Sequence, residues 1–194
     1  DFNNAFEKID KICSLYNNNQ NYLLIARMHP LYMDPNICKK FLGQTNEYFE
    51  KKLLDKYPKK LMFMNPKVIQ FGSKTNEVFY PLEDIEVLKQ LYCSSDVLLN
   101  EYSTTLLEGC IFNLPIVNVA IGKYRNTNLP ISFYGEHHHL WRLKKYNAIV
   151  ECNNYESLKK TLDDFSNGRD LTKENRKKLL ETEYNINRGF ASNK

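Results

Sequence analysis

Short apolar runs recur along the chain at intervals too wide for hairpins: YLLIA at 22–26, KLMFM at 60–64, DVLLN at 96–100, PIVNVA at 115–120 and AIVEC at 148–152. Each has the length of a strand, and an unbroken apolar run is the pattern of a strand buried on both faces. The stretches between them carry helical spacing. Residues 2–16 place Phe2, Phe6, Ile9, Ile12 or Cys13, and Tyr16 on one stripe. Asp34 and Pro35 open a second helix, as cap and first residue, predicted to run to Tyr57 just before Pro58. Further helices are predicted at 81–95 (Ile85, Leu88 and Leu91 or Tyr92 inward), 103–112, 136–146, 155–165 and 172–184. KVIQFG at 67–72 is also strand-like; of it and 60–64, one is predicted to join the sheet and the other to be an edge or connector.

Strands alternating with helices imply βαβ units. The expectation is one α/β, Rossmann-like domain over residues 1–194, a mostly parallel sheet of five to six strands with helices on both faces. No repeat or internal linker interrupts the pattern.

Composition narrows the function classes. With 42% apolar and 26% charged residues, the chain has the balance of a globular domain with a real core. A net charge of +4 suits an anionic ligand or a loose membrane-surface association, and falls short of a nucleic-acid footprint. Cys13, Cys38, Cys93, Cys110 and Cys152 are odd in number, widely spaced and without a C-x-x-C pair, which predicts reduced core thiols in a cytoplasmic protein. No apolar stretch reaches the ~18 residues of a membrane span. The opening DFNNAFEKIDKICSLY reads as an amphipathic helix and not as a leader.

In an open parallel sheet, ligands bind beyond the carboxyl ends of the strands. Two segments leave strands there with suitable chemistry. ARMHP brings Arg27, His29 and Pro30 off the first strand; NEYSTT brings Ser103, Thr104 and Thr105 off the DVLLN strand into a helix start. Small hydroxyl residues there are adequately explained as helix caps. Free N–H groups at the same place also suit a phosphate, with hydroxyls as further donors. Glu108, one turn on, is placed to accept from a ribose hydroxyl. Lys123 and Arg125 follow the PIVNVA strand as phosphate or sugar contacts, or as a solvated loop. The EHHH run at 136–139 is no zinc motif, because adjacent helical residues point about 100° apart. Structural or solvated histidines are the default reading, and a helix cap with His137 or His138 at the mouth of a donor site is the alternative. Trp141 reads as core, and KENRKKLLE as a solvated helix face able to touch an anionic membrane.

Four segments carry a resemblance: LLIARMHP, SSDVLLNEYSTTLLEGCIFNLPIVNVAIG, GEHHHLWRL and the tail NRGFASNK. Together they resemble the C-terminal half of a GT-B-type glycosyltransferase, nearest to bacterial surface-polysaccharide and CDP-glycerol glycerophosphotransferase-like enzymes and the UDP-GlcNAc 2-epimerase group. The resemblance implies a nucleoside-diphosphate sugar or CDP-alcohol as donor, with no metal or other cofactor. It implies that Ser103, Thr104 and Thr105 bind the diphosphate together with Arg27 and His29, and that Glu108 binds the ribose. His29 is its best candidate for leaving-group stabilisation, while the general base belongs to an N-terminal Rossmann-like acceptor domain outside these residues. The expected setting is cytoplasmic, at or near the inner face of the membrane. The sequence departs from the family pattern at Glu101, where Asp or Ser is usual, and in carrying Thr for Gly. The alternatives are an epimerase-like hydrolase and a non-catalytic nucleotide- or sugar-phosphate-binding module.

Overall fold

The computed structural model describes residues 5–19, 21–67, 69–70, 78–123 and 140–184. The chain divides into two compact units, 1–88 and 89–194.

In the first unit, α1 (Ala5–Leu15) turns Phe6 and Cys13 inward. Strand β1 (Leu24–Ala26) pairs in parallel with β2 (Leu61–Phe63), Ala26 opposite Phe63. The segment between them is not the single helix expected over 34–57. It makes a 3-10 turn (Pro30–Met33), then α2 (Pro35–Leu42) and α3 (Asn46–Lys56). Asp34 opens α2 as predicted, its carboxylate accepting the Asn36 N–H at 2.8 Å. Gly43 ends it: the chain turns left-handed there (φ 75°), which a side chain would resist, and Thr45 restarts it by capping the Tyr48 N–H. Phe6 stacks on Phe49 at 4.8 Å, and Cys13, Met28, Cys38, Leu53, Tyr57 and Leu61 complete this core. The expected burial on both faces does not hold for β1 and β2. Leu24 and Ile25 of β1 are only partly buried and Met62 of β2 is about half exposed, so at least one face of these strands is not fully covered.

Of the two strand-like runs after Pro58, the first forms β2. The second forms β3 (Ile69–Gln70), paired antiparallel with β4 (Val78–Phe79). Helix α4 (Leu82–Ser94) follows as predicted, except that Asp84 and Tyr92 are its buried residues and Ile85 is exposed.

The second unit holds three parallel strands in the order β5 (Leu98–Asn100), β6 (Ile116–Val119) and β7 (Val150–Cys152). All four residues of β6 are buried, so the sheet is covered on both faces. Helix α5 (Thr105–Ile111) joins β5 to β6, α6 (Trp141–Lys145) precedes β7, and α7 (Tyr155–Ser166) packs back with Leu158 and Leu162 inward. Helix α8 (Lys173–Leu179) runs on into a wide π-helical turn at Leu180–Tyr184.

Gly109 fixes how closely α5 approaches the sheet. A Cβ there would stand 2.5 Å from Leu98 Cδ2 and 3.0 Å from Ile116 Cδ1. At the amino end of β6, Arg176 of α8 is fully buried, where the sequence predicts a solvated helix face. All five of its N–H donors are used: Nε on Asn113 Oδ1, Nη1 on Asp170 Oδ1 and Thr172 Oγ1, Nη2 on Asp170 Oδ2 and the Asn113 carbonyl. Lys173, Glu174, Lys177 and Lys178 beside it are exposed as predicted.

The architecture is therefore α/β with parallel pairing. The continuous sheet of five to six strands is replaced, among the described residues, by sheets of two, two and three strands.

Candidate functional site

Strand β5 ends at Asn100, and the turn that leaves it is tightly held from below. The Glu101 N–H donates to Asn100 Oδ1 at 2.6 Å, and the Tyr102 N–H donates to Asn118 Oδ1 at 3.0 Å. Tyr102 sits at φ 39°, a left-handed conformation that is costly for a bulky residue and persists only where its surroundings impose it. Here they do: Tyr102 is buried and its Oη donates to Glu151 Oε2 at 2.6 Å. Burial first, then that bond to a carboxylate, pushes the phenol well above its ordinary pKa, so it stays a donor throughout the physiological range.

The three hydroxyl residues then divide their work. Ser103 Oγ accepts the Thr105 N–H at 3.2 Å and donates to Thr105 Oγ1 at 3.0 Å. Thr104 occupies the cap position with helical backbone angles and makes no side-chain cap bond. The expected cap is thus a local turn closed by Ser103, and Thr104 is exposed. The N–H groups of Ser103 and Thr104 make no hydrogen bond among the described residues. Tyr102 is left-handed and Thr104 right-handed, and successive unbonded N–H groups in a turn of mixed handedness are the kind of backbone that can cradle an anion.

Glu108 lies one turn along α5, its Oε2 accepting from Tyr92 Oη at 2.7 Å. Tyr92 in turn stacks on Phe112 at 5.0 Å, so the carboxylate is oriented by a packed aromatic pair.

Arg27 and His29 belong to the first unit and the Ser103–Glu108 group to the second. Arg27 Nη1 donates to the Met64 carbonyl at 3.1 Å, and Nη2 pairs with Asp84 Oδ2. Asp84 is buried, and its other oxygen accepts the Lys67 N–H at 2.9 Å. This guanidinium ties the ends of β1 and β2 to the start of α4. His29 is on the surface, yet desolvation of its ring lowers its pKa, leaving it neutral at pH 7. Lys123 is exposed at the end of the β6 loop. Arg125, His137 and His138 lie outside the described residues, and Trp141, predicted as core, is 44% exposed.

Sequence reasoning passed over Tyr102, Asn118 and Glu151. The signal was present, since each strand of this sheet carries one polar residue near its carboxyl end: Asn100, Asn118 and Glu151. Pairing brings them into one row, Asn100 opposite Asn118 and Asn118 opposite Glu151.

All five cysteines are free thiols, four of them buried. Burial pushes Cys13 up to about 11 and Cys110 up to about 12, which removes them as nucleophiles at neutral pH. Among the described residues no group of three His, Cys, Asp or Glu side chains could hold a metal ion, and no helix is long and apolar enough to cross a membrane. No family model matches the chain, and neither a curated protein nor a solved structure matches it.

Proposed function

We propose that the chain is the donor-binding part of a glycosyltransferase or glycerophosphotransferase-like enzyme that uses a nucleoside-diphosphate-activated donor in surface-polysaccharide synthesis. The observation that carries this reading is the β5 exit. A braced left-handed Tyr102 precedes two N–H groups that make no hydrogen bond among the described residues, and the hydroxyls of Ser103–Thr105, at the carboxyl edge of a parallel sheet. That arrangement favours an anion without a metal, because fixed N–H dipoles need no reorganisation when charge arrives. Glu108, held by Tyr92, is the ribose acceptor in this reading. Arg27 and His29 are not needed for it. Five free thiols support a reducing, cytoplasmic setting.

As donor half, the chain binds the activated group and stabilises the departing diphosphate, while an acceptor domain supplies the base. A non-catalytic nucleotide-binding module is the second reading. It is favoured by the engagement of Arg27, the strongest cation of the predicted site, with Asp84 and Met64.

Calorimetry with UDP, CDP and GDP tests the proposal on the full chain. Binding of one of them, weakened tenfold or more by Ser103→Ala with Thr104→Ala, is the expected result. Failure to bind any of the three, or affinity indifferent to both substitutions, removes it. Nucleotide binding without turnover when an acceptor domain is joined to the chain selects the module reading.

A further inference from the structure

Asn100, Asn118 and Glu151 are register partners on adjacent parallel strands, so their side chains leave the same face of the sheet. One pleat earlier on that face stand Leu98 and Ile116, the residues that Gly109 of α5 packs against. The polar row therefore lies on the α5 face, one step nearer the carboxyl edge, under the turn that opens α5. Asn118 is fully buried and divides its amide between two tasks, accepting from the Tyr102 N–H and donating to Glu151 Oε2 at 3.2 Å.

Glu151 is the member of the row that reaches solvent, its side chain 25% exposed. Its partners are distributed unevenly. Tyr102 Oη at 2.6 Å, Asn118 Nδ2 at 3.2 Å and Lys144 Nζ at 3.4 Å all converge on Oε2. Oε1 makes no hydrogen bond among the described residues, on a side chain that is partly exposed. One oxygen is locked from three sides and the other is unbonded among the described residues. A carboxylate in that state has already lost its rotamer freedom on folding, and it is an acceptor only. It is suited to a ligand that brings a hydroxyl, and unsuited to a phosphate.

We propose that Glu151 Oε1 binds a hydroxyl of the polyhydroxylated part of a ligand whose phosphates sit on the Ser103–Thr104 turn, with Tyr102 and Asn118 as its positioning residues. The inference rests on the donor-binding reading and adds a second hydroxyl acceptor to Glu108. A shared brace links the two halves of such a site, because Tyr102 both shapes the anion turn through its backbone and locks Glu151 through its phenol.

The test compares UDP-glucose, CDP-glycerol and inorganic pyrophosphate on the full chain by calorimetry. Glu151→Gln keeps the shape and the locked oxygen, but replaces the unbonded acceptor with an NH2 donor. The expected result is a loss of tenfold or more in affinity for whichever hydroxyl-bearing nucleotide binds, with pyrophosphate affinity unchanged or modestly increased. Tyr102→Phe, which loosens the carboxylate without removing its second oxygen, is expected to lose less. Glu151→Asp keeps the charge but withdraws the oxygen, and is expected to lose as much as Glu151→Gln if the contact is direct. Unchanged nucleotide affinity in Glu151→Gln, or an equal loss for pyrophosphate, overturns the proposal and leaves the donor-binding reading standing. Wild-type protein that binds none of the three ligands removes both.

Discussion

The exits of β1 and β5 are built on opposite lines. At the β1 exit the charged residue is spent internally: Arg27 is held by Asp84 and the Met64 carbonyl, and Asp84 by the Lys67 N–H as well. At the β5 exit the bracing comes from a buried amide and a carboxylate beneath the turn, while Thr104 is exposed and the N–H groups of Ser103 and Thr104 make no hydrogen bond among the described residues. The sheets explain the contrast. β1 and β2 are partly exposed strands of a two-stranded sheet, so an ion pair does part of the work of holding their ends together. β6 is buried along its whole length, and a buried ionic clamp sits at the other end of the strand, where Arg176 grips Asn113 and Asp170. The amino edge of that sheet carries a buried ion pair, and the carboxyl edge a network of Tyr102, Asn118 and Glu151 beneath N–H groups that make no hydrogen bond among the described residues.

Removing the clamp is the strongest way to break this division. Asp170→Ala leaves the Arg176 guanidinium buried without its counter-charge, and costs about 3–5 kcal/mol. Urea unfolding measures the loss, and Arg176→Met should cost less, since it leaves no buried cation behind. The pair also carries a pH signature. Burial acts to raise the Asp170 pKa, but hydrogen bonds from Arg176 and Thr172 outweigh it and hold the carboxyl below its ordinary 3.8. The unfolded chain therefore takes up the proton first as pH falls. The contribution is complete above about pH 5 and is lost through and below the ordinary carboxylate range. Wild-type melting temperature should drop between pH 5 and pH 3, and Asp170→Asn should flatten that part of the curve.

Next in size is Asp84→Ala, which strips Arg27 of its carboxylate and Lys67 N–H of its acceptor. The expected loss is about 1.5–3 kcal/mol, smaller than at Asp170 because Arg27 retains the Met64 carbonyl and some solvent. Nucleotide affinity at the β5 exit should be unchanged by it; a parallel loss of binding would show that the two exits are not independent. Gly109→Ala follows at about 1–3 kcal/mol, since its Cβ must displace Leu98 or lift α5 from the sheet. Lifting α5 also moves the turn above it, so this variant should weaken nucleotide binding along with stability.

What was legible in the sequence follows from the range of the interactions involved. The apolar runs and the helix start at Asp34–Pro35 are local signals, and they landed within a residue or two. Gly43 was a local signal as well, but apolar residues on both sides of it sustained an apparent single helix across the break. The division of strands among three sheets depends on pairing, which no single run encodes. Arg176 looked like any other cation in KENRKKLLE; its burial is decided by Asn113, 63 residues away. The hydroxyls of Ser103–Thr105 were correctly found as a helix start, but the residues that shape their turn, Asn118 and Glu151, reach it only through strand register.

The smallest expected effect bears most directly on the contrast between the exits. His29 leaves β1 beside Arg27, where the sequence suggests a cation for a diphosphate. Desolvation instead lowers its pKa from 6.5, so the folded state resists the proton that the unfolded chain accepts. Stability should therefore decline slightly as pH falls below about 6.5. That window is separate from the acid loss at Asp170, and His29→Gln should abolish the decline. An NMR titration of the imidazole is expected to give a midpoint below 6.5, unmoved by saturating pyrophosphate. A midpoint above 6.5, or one that rises with pyrophosphate, would make the β1 exit an anion site in its own right. The opposition between a braced exit and an open one would then be broken.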